Sequence, residues 1–184
     1  MRRTTSLAVL TALMVLVAAI PAQAHGTHSV DRDSRKEVAQ ARKATARYQR
    51  VSKAIHDGFV PFAIPEDVGG TLLTIRGEEI TCFDSPTGGM GVHYVRNIDA
   101  ILNPADPEAL VYEVGRHGRL RLVALEYIIP EEFVDPVSPP VLFGQELHHH
   151  SYLPVYILHL WVWKWNPSGK FADFNPRVRD CPST

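Results

Sequence analysis

The sequence predicts an α+β domain, in which one long N-terminal helix packs on a curved antiparallel sheet of about five to seven strands. Three observations carry that prediction. Val38, Ala41, Ala44, Tyr48, Val51 and Ile55 recur every three or four positions across residues 31–57 and form one apolar helical stripe. From residue 71 onward, short apolar runs alternate with Gly-, Pro- and Asn-rich breaks, the pattern of strands and turns. The run VYILHLWVWKW at 155–165 is apolar on both faces of a period-2 pattern, as a central strand covered above and below should be.

Residues 1–24 read as a signal peptide. Arg2 and Arg3 form a charged start, Leu7 to Ile20 is apolar but short for a membrane span, and Ala22-Gln23-Ala24 has the small-x-small form of a cleavage site. The remaining chain, 25–184, reads as a single exported domain of about 160 residues, enough to bury a core. Its location would be secreted or periplasmic. Losing Arg2 and Arg3 takes the formal charge from −1 to −3. Such a balance argues against a nucleic-acid partner, and the mature chain holds no further run long enough to span a bilayer. The two cysteines, Cys82 and Cys181, read as a disulfide in an exported protein.

The mature start Ala24-His25-Gly26 resembles that of the secreted lytic polysaccharide monooxygenases, whose N-terminal histidine implies a copper site. The resemblance covers three or four residues, and a charged helix follows where that family has a strand. The segment therefore reads as a solvated terminus.

The helix comes next, with Asp31, Asp33 or Ser34 to cap it and Gly58 to stop it. Its outer face carries Arg32, Arg35, Lys36, Arg42, Lys43, Arg47, Arg50 and Lys53, read as a solvated face. Strands are expected at 71–75, 78–84 and 92–97. The glycine-rich loop between the last two allows close approach of a ligand or another chain segment. Residues 110–114 and 119–129 flank Gly115-Arg116-His117-Gly118 as a hairpin. In its second strand Leu120, Leu122, Ala124, Glu126 and Ile128 share a face, which places a carboxylate among leucines. Residues 130–154 form a proline-rich, lid-like loop, then the central strand follows and 171–174 returns. The helix-then-meander order is similar to a cystatin-like or NTF2-like cone, or an open barrel.

Three residues of metal-ligand type sit in mid-strand: His93, Glu126 and His159. A buried carboxylate or imidazole is costly unless paired, and gathering them relieves several costs at one place. Two imidazoles and a carboxylate suit zinc, iron, manganese or copper and leave positions open for water or substrate. His149, or its neighbours His148 and His150, would complete the set from the loop, as would Gln145 or Glu146. The competing readings are a polar core network, in which Glu126 pairs with Arg96 or Arg177, and no convergence at all. There is no HExxH, CxxC, GxSxG or phosphate loop to name a reaction.

Two function classes follow. One is a binding module whose aromatic-lined core or cavity, with Trp161, Trp163 and Tyr94 as ligand-binding residues, takes a small molecule or an envelope partner. The other is a metal-dependent enzyme of lyase, isomerase or oxygenase type, with Glu126 as ligand or general base.

Overall fold

A computed structural model describes residues 32–64 and 69–183. The signal-peptide reading, His25 and His28 lie outside the described residues. Helix α1 spans Arg32–Thr45, a single 3-10 turn spans Ala46–Gln49, and α2 spans Val51–His56. The first described element thus begins at Arg32, not at the chain's N-terminus, and it is broken where one continuous helix was expected. Arg50 is extended (φ −100°, ψ 108°). The buried Tyr112 hydroxyl donates to the Tyr48 carbonyl at 2.7 Å, taking an acceptor that a continuing helix would use. Gly58, at φ +92°, ends α2 as expected, with the Phe59 amide donating back to the Ala54 carbonyl.

Among the described residues ten strands follow: β1 (Val60–Pro61), β2 (Thr71–Ile75), β3 (Glu78–Ser85), β4 (Gly88–Val95), β5 (Ala109–Val114), β6 (Leu120–Pro130), β7 (Val141–Leu142), β8 (Gln145–Glu146), β9 (His148–His149) and β10 (Val155–Leu160). Eight of them form one antiparallel sheet in the order β2-β3-β4-β5-β6-β10-β9, with β1 added on β4; β7 and β8 pair separately. The class is α+β, with more strands than expected, and the sheet is not a closed barrel.

One face packs on the helices. Tyr94, Leu110, Tyr112, Leu125, Tyr127, Leu158 and Leu160 join Ala41, Tyr48, Ala54 and Phe59 in the main core. The other face carries two smaller clusters, Met90, Val111, Val123, Ala124, Trp161 and Val178, and Ala109, Ile128 and Ile157. A bulge opposite Val111/Tyr112 inserts Val123 into β6. It turns Leu122 onto the helix face with Leu125, while Ala124 and Glu126 stay on the other. The leucines expected around Glu126 therefore line the opposite side, because one inserted residue reverses the alternation.

The C-terminal tail crosses this second face. A Cβ on Gly88 would lie 2.5 Å from the Asn175 carbonyl carbon, and one on Gly89 would lie 2.6 Å from the Arg179 oxygen. The glycine-rich stretch thus admits another chain segment. Glu113 is buried, accepts from the Lys164 ammonium at 2.6 Å and takes the Arg179 amide at 3.1 Å. The Cys181 amide donates to Asp84 at 2.7 Å beside the Cys82–Cys181 disulfide (Cα–Cα 5.8 Å). Residues 171–174 form no strand. Because Asn175 bonds Gly89 through a single bridge, the return runs over the sheet instead of joining it.

Two predictions follow from this packing. The disulfide closes a separation of 99 residues. Replacing Cys181 by serine should lower stability by up to ~4–5 kcal/mol in the chain-entropy account, read from chemical denaturation.

Glu108 is buried, with its carboxyl accepting the Ile128 amide at 3.0 Å. Burial pushes its pKa up to about 8, opposed by that hydrogen bond and helped by Asp99 and Asp106. The folded state therefore keeps a proton that the unfolded chain loses near 4.5. Its stabilising contribution is complete below that value and is lost as pH rises through about 8. Glu108→Gln holds the neutral form at every pH. Its stability, read from chemical denaturation, should match the parent near pH 4 and exceed it at pH 9, by an upper limit on the order of 5 kcal/mol. Equal pH profiles for the two proteins would refute the assignment.

Candidate metal centre

Register explains how three distant residues meet. Glu126 on β6 stands opposite His159 on β10 and opposite Ala109 on β5. His93 on β4 stands opposite Val111, two residue pairs along and so on the same face. Strand β5 lies between β4 and β6, so with that two-residue offset His93 and Glu126 start about 12 Å apart at the backbone. Both side chains are long enough to close that gap over Ala109, whose methyl group leaves the space.

The His93 Nε2 atom lies 3.3 Å from Glu126 Oε2, and His159 Nε2 lies 3.6 Å from Glu126 Oε1. One donor atom from each residue falls within 4.8 Å of the other two. Charge-assisted hydrogen bonds are shorter, about 2.7–2.9 Å, so the three groups stand slightly apart. An ion with bonds of about 2.0–2.1 Å holds neighbouring donors at comparable separations of roughly 3–3.5 Å. Exposure is 4% for His93, 6% for Glu126 and 0% for His159. Buried His93 Nδ1 and His159 Nε2 lack a hydrogen-bond partner.

The second nitrogen of His159 is committed. Its Nδ1 donates to Asp173 Oδ1 at 3.2 Å, which turns Nε2 toward Glu126. This is the carboxylate–imidazole pairing that orients a ligating histidine. Trp161 sets Asp173 in place: its amide donates to the Lys170 carbonyl at 2.9 Å, and its indole to the Ala172 carbonyl at 2.6 Å. Asp173 Oδ2 in turn meets His148 Nε2 at 3.1 Å. The Phe83 ring stands edge-on to His93, with centroids 5.5 Å apart, and closes that side.

Electrostatics follow from enclosure. Burial, with repulsion from His159 and His150, brings His93 down to about 3, so it is neutral at ordinary pH and free to offer a lone pair. Burial raises Glu126, and His159 opposes that rise. Burial alone would lower His159, but Glu126 and the Asp173 hydrogen bond outweigh it and hold it above its usual value. Burial would also raise Asp173, yet its bonds to His148 and His159 carry it well below the carboxylate range. Two carboxylates thus flank one imidazole in a low-dielectric place. That calls for compensation, by a proton on His159 or on Glu126, or by a cation.

The other expected site residues are dispersed. Tyr94 is buried on the helix face, edge-on to Tyr112. Trp161 packs in the second-face cluster, and Trp163 packs toward the helix under Arg42. Trp165 is exposed beneath Arg177. The tryptophan row dissolves because β10 ends at Leu160, where the Val162 amide bonds the Leu160 carbonyl and bends the chain. Arg96 pairs with Asp106, so neither expected arginine partners Glu126.

His149 also lies away from the group. Strand β9 pairs His148 with Ile157 and His149 with Tyr156. Alternation therefore puts His148 on the face of His159 and turns His149 to Glu131, 3.4 Å away. Asp173 is the residue the sequence did not single out, and His148 stood there only as a neighbour of His149. The signal for His148 was its parity relative to the VYILHL strand.

No protein-family model matches the chain, and neither a curated protein nor a solved structure matches it.

The metal-free protein gives a direct test of these electrostatics. His159→Ala leaves the Glu126 carboxylate buried with a poorer partner and should cost about 3–5 kcal/mol. Glu126→Gln removes the charge and should cost under about 1.5 kcal/mol or stabilise. Thermal denaturation in the presence of a chelator compares them. A larger loss for Glu126→Gln than for His159→Ala would contradict the charge balance described.

Proposed function

We propose that this is an exported domain whose function centres on holding one transition-metal ion at His93, Glu126 and His159. The observation that carries this reading is a buried carboxylate that meets two buried imidazoles, His93 through Nε2 at 3.3 Å and His159 through Nε2 at 3.6 Å, the latter nitrogen without a hydrogen-bond partner and oriented by Asp173. Two nitrogens and one oxygen suit zinc, iron, manganese or copper. A divalent ion would balance Glu126 and Asp173 while both imidazoles stay neutral. Export is supported by the sequence pattern of residues 1–24 and by the Cys82–Cys181 disulfide. Among the described residues no helix is long and apolar enough to cross a membrane.

Near-complete enclosure favours an ion that is retained over one presented to a large substrate. Tyr94 and Trp161 are buried in the core, and Trp163 packs against it. A metal-dependent lyase, isomerase or oxygenase is the second reading. Three protein donors leave coordination positions for water or a small substrate, and Glu126 would then be ligand or base. That reading requires the segment around Asp173 to move.

Elemental mass spectrometry of the untagged protein beginning at His25 tests the proposal. About one ion per chain is expected, with affinity reduced more than ~100-fold in the His93→Ala/His159→Ala variant, since outer-shell partners alone are worth 10–100-fold. No metal after reconstitution with copper, zinc and iron would overturn it. So would metal fully retained by the double variant.

A further inference from the structure

The cluster is closed on most sides. Phe83 stands against His93, the strands close the flanks, and the helices cover the far face of the sheet. Among the described residues, a continuous line of donor atoms leads outward in one direction. It runs from Glu126 to His159 (3.6 Å), to Asp173 (3.2 Å) and to His148 (3.1 Å). Exposure of the side chains rises beyond the buried pair, from 0% for His159 to 36% for Asp173 and 47% for His148. Imidazole and carboxylate alternate at every step.

Resting on the metal reading above, we infer that His148 and Asp173 form the entry station through which the ion reaches the buried site. His148 meets solvent and keeps its Nδ1 available, while its Nε2 faces Asp173. Asp173 belongs to an irregular segment outside the sheet, so its carboxylate can turn without breaking a ladder. An ion caught between the two is one imidazole away from Glu126. His150 is anchored to the loop, its Nδ1 accepting the Tyr152 and Leu153 amides at 3.1 Å each, and it makes no hydrogen bond to Asp173. His149 is excluded because it faces Glu131 on the other side. The adjacent histidines of the loop thus separate into an entry donor, a loop anchor and a partner for Glu131.

A station on the path, unlike a ligand, changes rates of entry and exit together and leaves the equilibrium unchanged. His148→Gln tests this, since glutamine keeps an N–H for Asp173 but loses the imidazole. Cobalt(II) uptake by the full mature protein is followed by visible absorption in stopped flow, and release by a chelator chase. His148→Gln should slow both rates by about tenfold or more, with Kd within about threefold of the parent. His149→Gln, the control, should leave both rates unchanged.

Unchanged rates in His148→Gln would overturn the entry station while leaving the metal site intact. So would a weakened Kd with an unaltered association rate, which would make His148 a support of the site and not its entrance. Equal slowing in His149→Gln would overturn it as well, by reducing the effect to general surface charge. A parent protein that binds no cobalt would overturn the metal reading itself, and the entry station with it.

Discussion

A carboxylate in the middle of a sheet is the constraint around which this molecule is arranged. Glu126 is 6% exposed, and isolated charge in that position would cost several kcal/mol. Its neighbours answer that cost in a fixed geometry. Cross-strand register brings His159 directly opposite, and the small side chain of Ala109 lets His93 approach from two strands away. Asp173 then adds a second negative group beside His159. That addition would be perverse in a purely structural pair, because it increases the demand for positive charge. It is expected where an imidazole must be held with one nitrogen turned inward.

The cover over this group is assembled from parts that do not form regular structure. The tail crosses the second face, where Phe174 and Val178 pack in its cluster, and is fastened at several points. Trp161 holds Lys170 and Ala172, Gly89 holds Asn175, Glu113 takes the Arg179 amide, and Asp84 takes the Cys181 amide. The disulfide fixes the far end on β3. Local hydrogen bonds set the angle of Asp173, while the covalent link keeps the tail from leaving. Glycines at 88 and 89 matter for the same reason, since any side chain there would lift the tail off the sheet.

Much of this was legible in the sequence. The α+β class, the hairpin around Gly115 and Gly118, the cysteine pair and the convergence of His93, Glu126 and His159 follow from periodicity and from the cost of burying polar groups. What was not legible turns on single-residue events. A Tyr112 hydroxyl breaks the helix at Tyr48, one inserted residue at Val123 reverses a face, and a bend after Leu160 scatters the tryptophans. Each depends on a partner remote in sequence, which pattern reading cannot weigh. The same limit hid Asp173, a lone carboxylate between phenylalanines whose role appears only when Trp161 holds its segment against His159.

The adjacent histidines 148–150 show how parity converts composition into chemistry. Read as a tract, they offer three equivalent ligands on a loop. Once β9 pairs with β10, they cannot be equivalent, because successive side chains on a strand point to opposite faces. His148 takes the parity of Ile157 and hence of His159, and this places it on the charged side. His149 takes the parity of Tyr156, whose ring it meets edge-on at 5.3 Å, and is carried to the other face. Beyond the strand, His150 anchors the loop through two amides. Shifting the β9–β10 register by one residue would exchange the first two roles and disconnect Asp173 from solvent-facing imidazole. The pairing of this two-residue strand therefore decides whether the buried group communicates with the surface through donor atoms or is sealed.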